Sequence, residues 1–190
     1  MADQLLRTHP LEAWTAAFEA LPDSLRITAE PFVAMADVRV DPDPAGRPAV
    51  HGTPLPTVPN TWVPTSDGWL VWLGPDEWLL TSTGISPEAL EEELRTELRP
   101  AGGTAVDVSA QRIVLRISGP RARDMLAKGC SIDLHPRVFG PGSSAQTTLG
   151  QAGVVLLALD DGFAVLVRSS FAGYLATWLL DASLEYTVHP

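Results

Sequence analysis

Two long β-rich runs separated by a short turn that ends in Asp161-Gly162 constrain this chain most. Gly153–Leu159 (GVVLLAL) lies before the pair and Phe163–Arg168 (FAVLVR) after it. An Asp-Gly pair between such runs is the strongest short-range hairpin signal, so these strands are antiparallel neighbours. A second Asp-Gly pair stands at Asp67-Gly68. It leads into Trp69–Leu73 (WLVWL), and Gly74-Pro75-Asp76 turns the chain into Trp78–Thr81. Phe32–Val40 and Ile113–Ile117 are further β-rich segments, and Leu184–Val188 reads as a terminal strand.

Between the strands lie four helical patterns. Pro10–Leu21 carries the stripe Leu11, Trp14, Phe18 and Leu21. Pro87–Arg99 has Ser86 as its N-cap, Pro87 in its first turn, Leu90, Leu94 and Leu98 as its buried face, and Glu91 facing Arg95. Pro120–Lys128 is short, with Gly129 at the position a left-handed C-terminal residue takes. Phe171–Leu180 follows Ser169-Ser170, with Phe171, Leu175, Trp178 and Leu179 on one face. Helices interleaved with hairpins predict an α+β fold with a mostly antiparallel sheet and packed helices. A faint echo, DGWLVWLGPDEWLL and DGFAVLVR each leading into a helix, points to two related lobes.

Asp41–Pro64 is crowded with proline. It cannot be a helix or a central strand and reads as a long loop or arm. The organisation expected is residues 1–66 as an N-terminal helix, strand and Pro-rich arm packed on the core, and residues 67–190 as the α+β core.

Composition limits function mostly by exclusion. A chain of 190 residues can bury a real core without staples. Its net charge of −10 disfavours nucleic acid and anionic membrane surfaces as partners. The single cysteine, Cys130, excludes an internal disulfide, and the start shows no apolar signal segment, so a cytoplasmic setting is expected. His9, His51, His135 and His189 are scattered without metal-ligand spacing, and no phosphate-loop or dinucleotide fingerprint occurs. Cys130, Asp133 and His135 lie within six residues, but nucleophile and base normally converge from distant segments, and Pro136 biases His135 to extended backbone. They read as a buried thiol and a turn histidine. No catalytic, cofactor-binding or metal-binding residue is assigned. Of the six tryptophans, Trp62, Trp69, Trp72 and Trp78 cluster, and Trp69 and Trp72 point to opposite faces of a strand. Trp62 and Trp72 are assigned to a subunit interface, where tryptophan is favoured.

Two segments carry a family resemblance: WLGPDEWLL at Trp72–Leu80 and KGCSIDLHPRVF at Lys128–Phe139. With VDVSAQRIVLRISGPRARDMLAKGC, QTTLG and RSSFAGYLATWLLDASLEY they resemble the gamma-subunit family of heterotetrameric sarcosine oxidases over about Asp67–Tyr186. The same stretch is more distantly similar to the folate-binding domain of glycine-cleavage aminomethyltransferases. The resemblance implies that two-lobed fold and a non-catalytic, scaffolding subunit. Its partners would be the alpha, beta and delta subunits, with FAD, FMN, NAD and tetrahydrofolate held by those larger partners. The complex would convert sarcosine to glycine, with hydrogen peroxide and 5,10-methylenetetrahydrofolate as products. The aminomethyltransferases carry an acidic residue after a Gly-Gly-hydrophobic turn, whereas here Ala152-Gly153-Val154-Val155-Leu156 has no carboxylate. Alternatives at this stage are an active tetrahydrofolate-dependent one-carbon transferase and a free-standing folate-binding regulator.

Overall fold

A computed structural model describes residues 8–42 and 49–188. The chain is built from two passes through one pattern. The first runs α1 (Thr15–Glu19), β1 (Arg26–Ala29), β2 (Ala34–Arg39), the two-residue strands β3 (Ala49–Val50) and β4 (Thr53–Pro54), β5 (Trp62–Pro64), β6 (Trp69–Gly74), β7 (Glu77–Ser82) and α2 (Pro87–Leu98). The second runs β8 (Thr104–Asp107), β9 (Arg112–Ser118), α3 (Ala122–Ala127), β10 (Ser144–Leu149), β11 (Ala152–Leu159), β12 (Gly162–Arg168) and α4 (Ala172–Val188).

Two five-stranded antiparallel sheets result, in the orders β10-β11-β12-β9-β1 and β5-β6-β7-β2-β8. The orders match strand for strand, with one exchange. The first strand of each pass leaves its own sheet: β1 pairs with β9, and β8 pairs with β2. The echo in the sequence is therefore real, but its register is β7 with β12, each leading into a helix. Residues before 67 supply β1 to one sheet and β2 and β5 to the other.

The sheets stack face to face, with helices on both outsides. Met35, Val71, Leu73, Leu79, Val114, Val155, Leu157 and Leu166 fill the space between the sheets. Leu90, Leu94 and Leu98 of α2 cover the outer face of the β2 sheet over Val38, Leu70, Trp78 and Leu80. Helices α1, α3 and α4 cover the other sheet over Leu115, Ile117, Leu156 and Val165. This layering explains the unbroken apolar run of β11: Val155 and Leu157 face one layer and Val154 and Leu156 the other.

Helix α2 follows the sequence closely. Ser86 accepts a hydrogen bond from the Ala89 amide at 3.3 Å, and Arg95 meets Glu91 at 3.4 Å. Other expectations are corrected. Leu184–Val188 is the end of α4 and not a strand. Buried Ala172, Leu175, Ala176, Leu179 and Ser183 continue one helical face, and Lys128 holds the last turns through the Ala182 carbonyl and Glu185. Phe171 is 41% exposed and stands off the buried face of α4. Gly129 has no left-handed backbone; its hydrogen atom matters because a Cβ there would lie 2.3 Å from the Trp178 ring. The Asp161-Gly162 hairpin turns at Asp160-Asp161, with Gly162 already paired to Leu159.

In the proline-rich segment, residues 43–48 lie outside the described residues. The described part folds on its own chain: Val50 and Leu55 are buried against the α2 layer, and the Pro56 carbonyl accepts from Trp78 Nε1 at 2.8 Å. It also contributes β5, an edge strand, where proline is tolerated. Among the described residues no helix is long and apolar enough to cross a membrane.

Candidate functional site

The two crossings from sheet to sheet, residues 30–33 and 108–111, lie side by side and bound a cavity of about 340 Å³. Glu30, Phe32 and Val33 come from the first crossing, and Ser109 and Ala110 from the second. The starts of the equivalent helical segments close it, through Pro87 and Glu88 in the first turn of α2 and Ser169 before α4. The cavity thus sits on the approximate two-fold relation of the chain.

Much of its polar chemistry is spent on the fold. Ser109 Oγ accepts from the Met35 amide at 2.8 Å and donates to Asp107 at 2.6 Å, and Ser169 Oγ donates to the Ala110 carbonyl at 2.7 Å. These bonds tie the second crossing to β2 and hold the loop before α4. His9 Nδ1 accepts from the Leu11 amide at 3.1 Å, and its ring meets Phe32 edge-on. Burial lowers the His9 pKa, against the opposing pull of Glu30 and Glu12. Glu30, Glu88 and Asp107 set three carboxylates against the single guanidinium of Arg112 in the lining. Glu88 also occupies the positive end of α2. That balance does not fit the phosphates of a flavin or nicotinamide nucleotide, which call for a cationic clamp.

A second concavity, an open groove of about 690 Å³, runs over the free end of the β9-β12-β11-β10 surface. Arg112 and Arg168 stand directly opposite each other across β9 and β12. Val155, Gly153, Thr148 and Gln146 form its floor, and Ser131, Ile132 and Phe171 its rim.

Cys130, Asp133 and His135 do not form a reacting set. Asp133 accepts from the His135 amide at 2.8 Å, and His135 Nδ1 accepts from the Arg137 amide at 3.2 Å, so both side chains shape their own turn. Cys130 bridges to Leu149 and packs against the α4 layer. The sequence reading passed over Arg123, which organises this loop. Its guanidinium donates to the Leu134 and Phe139 carbonyls and lies 4.8 Å from the Phe163 ring centre. An arginine in a short helix gives no local sign of such a role.

Trp69 and Trp72 do point to opposite faces. Trp69 joins the layer between the sheets, 5.6 Å from the Arg116 guanidinium, and Trp72 packs toward the α2 layer. Trp62 Nε1 donates to the Ala158 carbonyl at 3.0 Å and its ring meets Trp69 edge-on, so it joins the two sheets. Trp62 and Trp72 are both half-buried. Among the described residues no group of three or more His, Cys, Asp or Glu converges as a metal site would require.

The family model described as the sarcosine oxidase gamma subunit family matches residues 39–185. The gamma subunit of sarcosine oxidase from Corynebacterium sp. (strain P-1) is 37% identical over 166 residues, covering 84% of this chain and 80% of the relative. That from Arthrobacter sp. is 38% identical over 162 residues, covering 82% and 78%. Among solved structures, a chain of heterotetrameric sarcosine oxidase from Corynebacterium sp. U-96, in complex with pyrrole 2-carboxylate, superposes with a TM-score of 0.86. It is 32% identical, and the match covers 95% of this chain and 96% of that one. Aminomethyltransferase T of the glycine cleavage system from Bartonella henselae gives a TM-score of 0.63 at 14% identity, covering 91% of this chain and 50% of that one. That last likeness establishes the expected α+β fold alone. Matched over residues 39–185 by the family model and over 95% of its length in fold, the chain belongs to the sarcosine oxidase gamma subunit family.

Proposed function

We propose that this chain is a scaffolding subunit of a cytoplasmic heterotetrameric sarcosine oxidase and takes no chemical part in turnover. Its partners are the alpha, beta and delta subunits, which hold FAD, FMN, NAD and tetrahydrofolate. Together they convert sarcosine, oxygen and tetrahydrofolate to glycine, hydrogen peroxide and 5,10-methylenetetrahydrofolate. The observation that carries the non-catalytic part is Ala152–Leu156. This stretch opens β11 with only Ala, Gly, Val and Leu side chains, and none of them can hold or move a proton. The half-exposed surfaces of Trp62 and Trp72 are assigned to subunit contact, since a few aromatic anchors dominate interface energy.

Equilibrium binding tests the non-catalytic reading. The purified chain, its fold checked by a cooperative melt, is titrated with FAD, FMN, NAD and tetrahydrofolate. No saturable binding is expected. Micromolar binding of tetrahydrofolate, or transfer of a one-carbon unit by the chain alone, would replace this reading with an active transferase.

A further inference from the structure

The groove over β11 holds an electrostatic arrangement that the fold alone does not explain. Arg112 and Arg168 are directly opposed on neighbouring strands, and like charges in that position repel. Among the described residues, every ion pair involves other groups, and no carboxylate lies within 4.0 Å of either guanidinium. Burial lowers the Arg112 pKa, Arg168 lowers it further, and Asp37 and Glu77 oppose this only through longer-range attraction. This occurs in a chain with a net charge of −10, which has carboxylates to spare. Elsewhere the chain uses them: Arg39 meets Glu77 at 2.7 Å and Arg116 meets Asp161 at 2.9 Å.

The surroundings indicate what covers the pair. Phe171 and Tyr174 stand edge to face at the start of α4, 41% and 40% exposed, with Phe171 on the groove rim. Arginine beside exposed aromatic rings is the composition of a protein interface. A small ligand would demand a more enclosed site, since such pockets bury most of their occupant, whereas this groove is open along its length. Gly153 keeps the floor low, and a Cβ there would meet nothing within 4 Å.

We propose that the groove receives an acidic segment of another subunit of the complex, with its carboxylates on Arg112 and Arg168 and its apolar side chains on Phe171. This rests on the reading of the chain as an assembly subunit and adds where and by what chemistry it docks.

The test uses the co-expressed four-subunit complex. The first variant is Arg168→Lys, treated with a zero-length carboxyl–amine coupling reagent and mapped by mass spectrometry. The expected product joins position 168 to an aspartate or glutamate of another subunit. Position 168 remaining uncoupled, or coupling only within this chain, would overturn the proposal, as it would if a small carboxylate occupied the groove. The second measurement follows retention of the chain during gel filtration across a salt series. The Arg112→Gln/Arg168→Gln double variant and Gly153→Trp should each lose the chain at about half the salt concentration the native complex withstands or lower, since partly exposed ion pairs are screened. Arg112→Lys/Arg168→Lys should fall between. A melt of each variant chain separates lost docking from lost folding. Unchanged retention by folded variants would overturn the proposal. Whether the other subunits need this chain at all is decided separately by omitting it, so the two readings fail independently.

Discussion

Leu175 shows how tightly the outer layer of this molecule is packed. It is fully buried between α4 and the β9-β12 face. Leu175→Ala should destabilise the chain by about 2–5 kcal/mol, through lost transfer energy and the cavity left behind. An unchanged melting midpoint would place that face of α4 outside the core. Gly129 and Trp178 express the same closeness from the other side, the indole lying where a Cβ would stand. Cys130 and His135 make the opposite case, since neither side chain has a geometry that activates the other. Cys130→Ala and His135→Asn should each leave kcat of the assembled enzyme within a few-fold. A loss of about 10³-fold at normal assembly would show chemical participation. At this scale residues whose chemistry is local, such as Ser86, are readable from the sequence, and those whose partners are distant are not. Nothing beside Arg112 in the chain announces Arg168 facing it 56 positions on.

The β5–β6 connection is fastened to the end of β7 by one carboxylate. Asp67 accepts from Ser82 Oγ at 2.5 Å and from the Gly84 amide at 2.8 Å. The Ser82 hydroxyl, more than any other group, holds the Asp67 pKa below its ordinary value of 3.8. A depressed carboxylate pKa stabilises the fold above the unfolded value, and that stabilisation is lost as the pH falls through the folded value. Asp67→Asn should therefore melt lower than the native chain near neutral pH, and the gap should close in acid. A gap independent of pH would mean that the carboxylate charge contributes nothing. Elements of this kind, the β6–β7 and β11–β12 hairpins and a capped helix with a leucine stripe, were legible because their contacts are local. Strands β1, β5, β8 and β10 were not recognised. They are short or carry polar residues, and they owe their state to neighbours far along the chain. Leu184–Val188 misled for the complementary reason: its residues suit a strand, yet the face begun at Ala172 and the grip of Lys128 keep it helical.

For the whole molecule, the exchange of β1 and β8 between the two sheets makes each pass depend on the other. The layer between the sheets then closes them into one body. The cavity at the crossings is a product of that exchange, and much of its polar lining fastens the second crossing to β2 and to the loop before α4. What remains for function is the outer surface, where arginines and aromatic rings stand without a covering layer. A permanent subunit contact built from such surface should bury about 2,000 Å² or more in total. The fold class and the family were legible in the sequence; the docking groove was not, because it is assembled from β9, β10, β11, β12 and the loop after α3. The most direct test of the scaffolding role is the yield of assembled, sarcosine-oxidising complex when the other three subunits are co-expressed with and without this chain. The account predicts a marked loss of assembled enzyme when it is omitted; recovery of normally assembled complex with undiminished sarcosine turnover would contradict it.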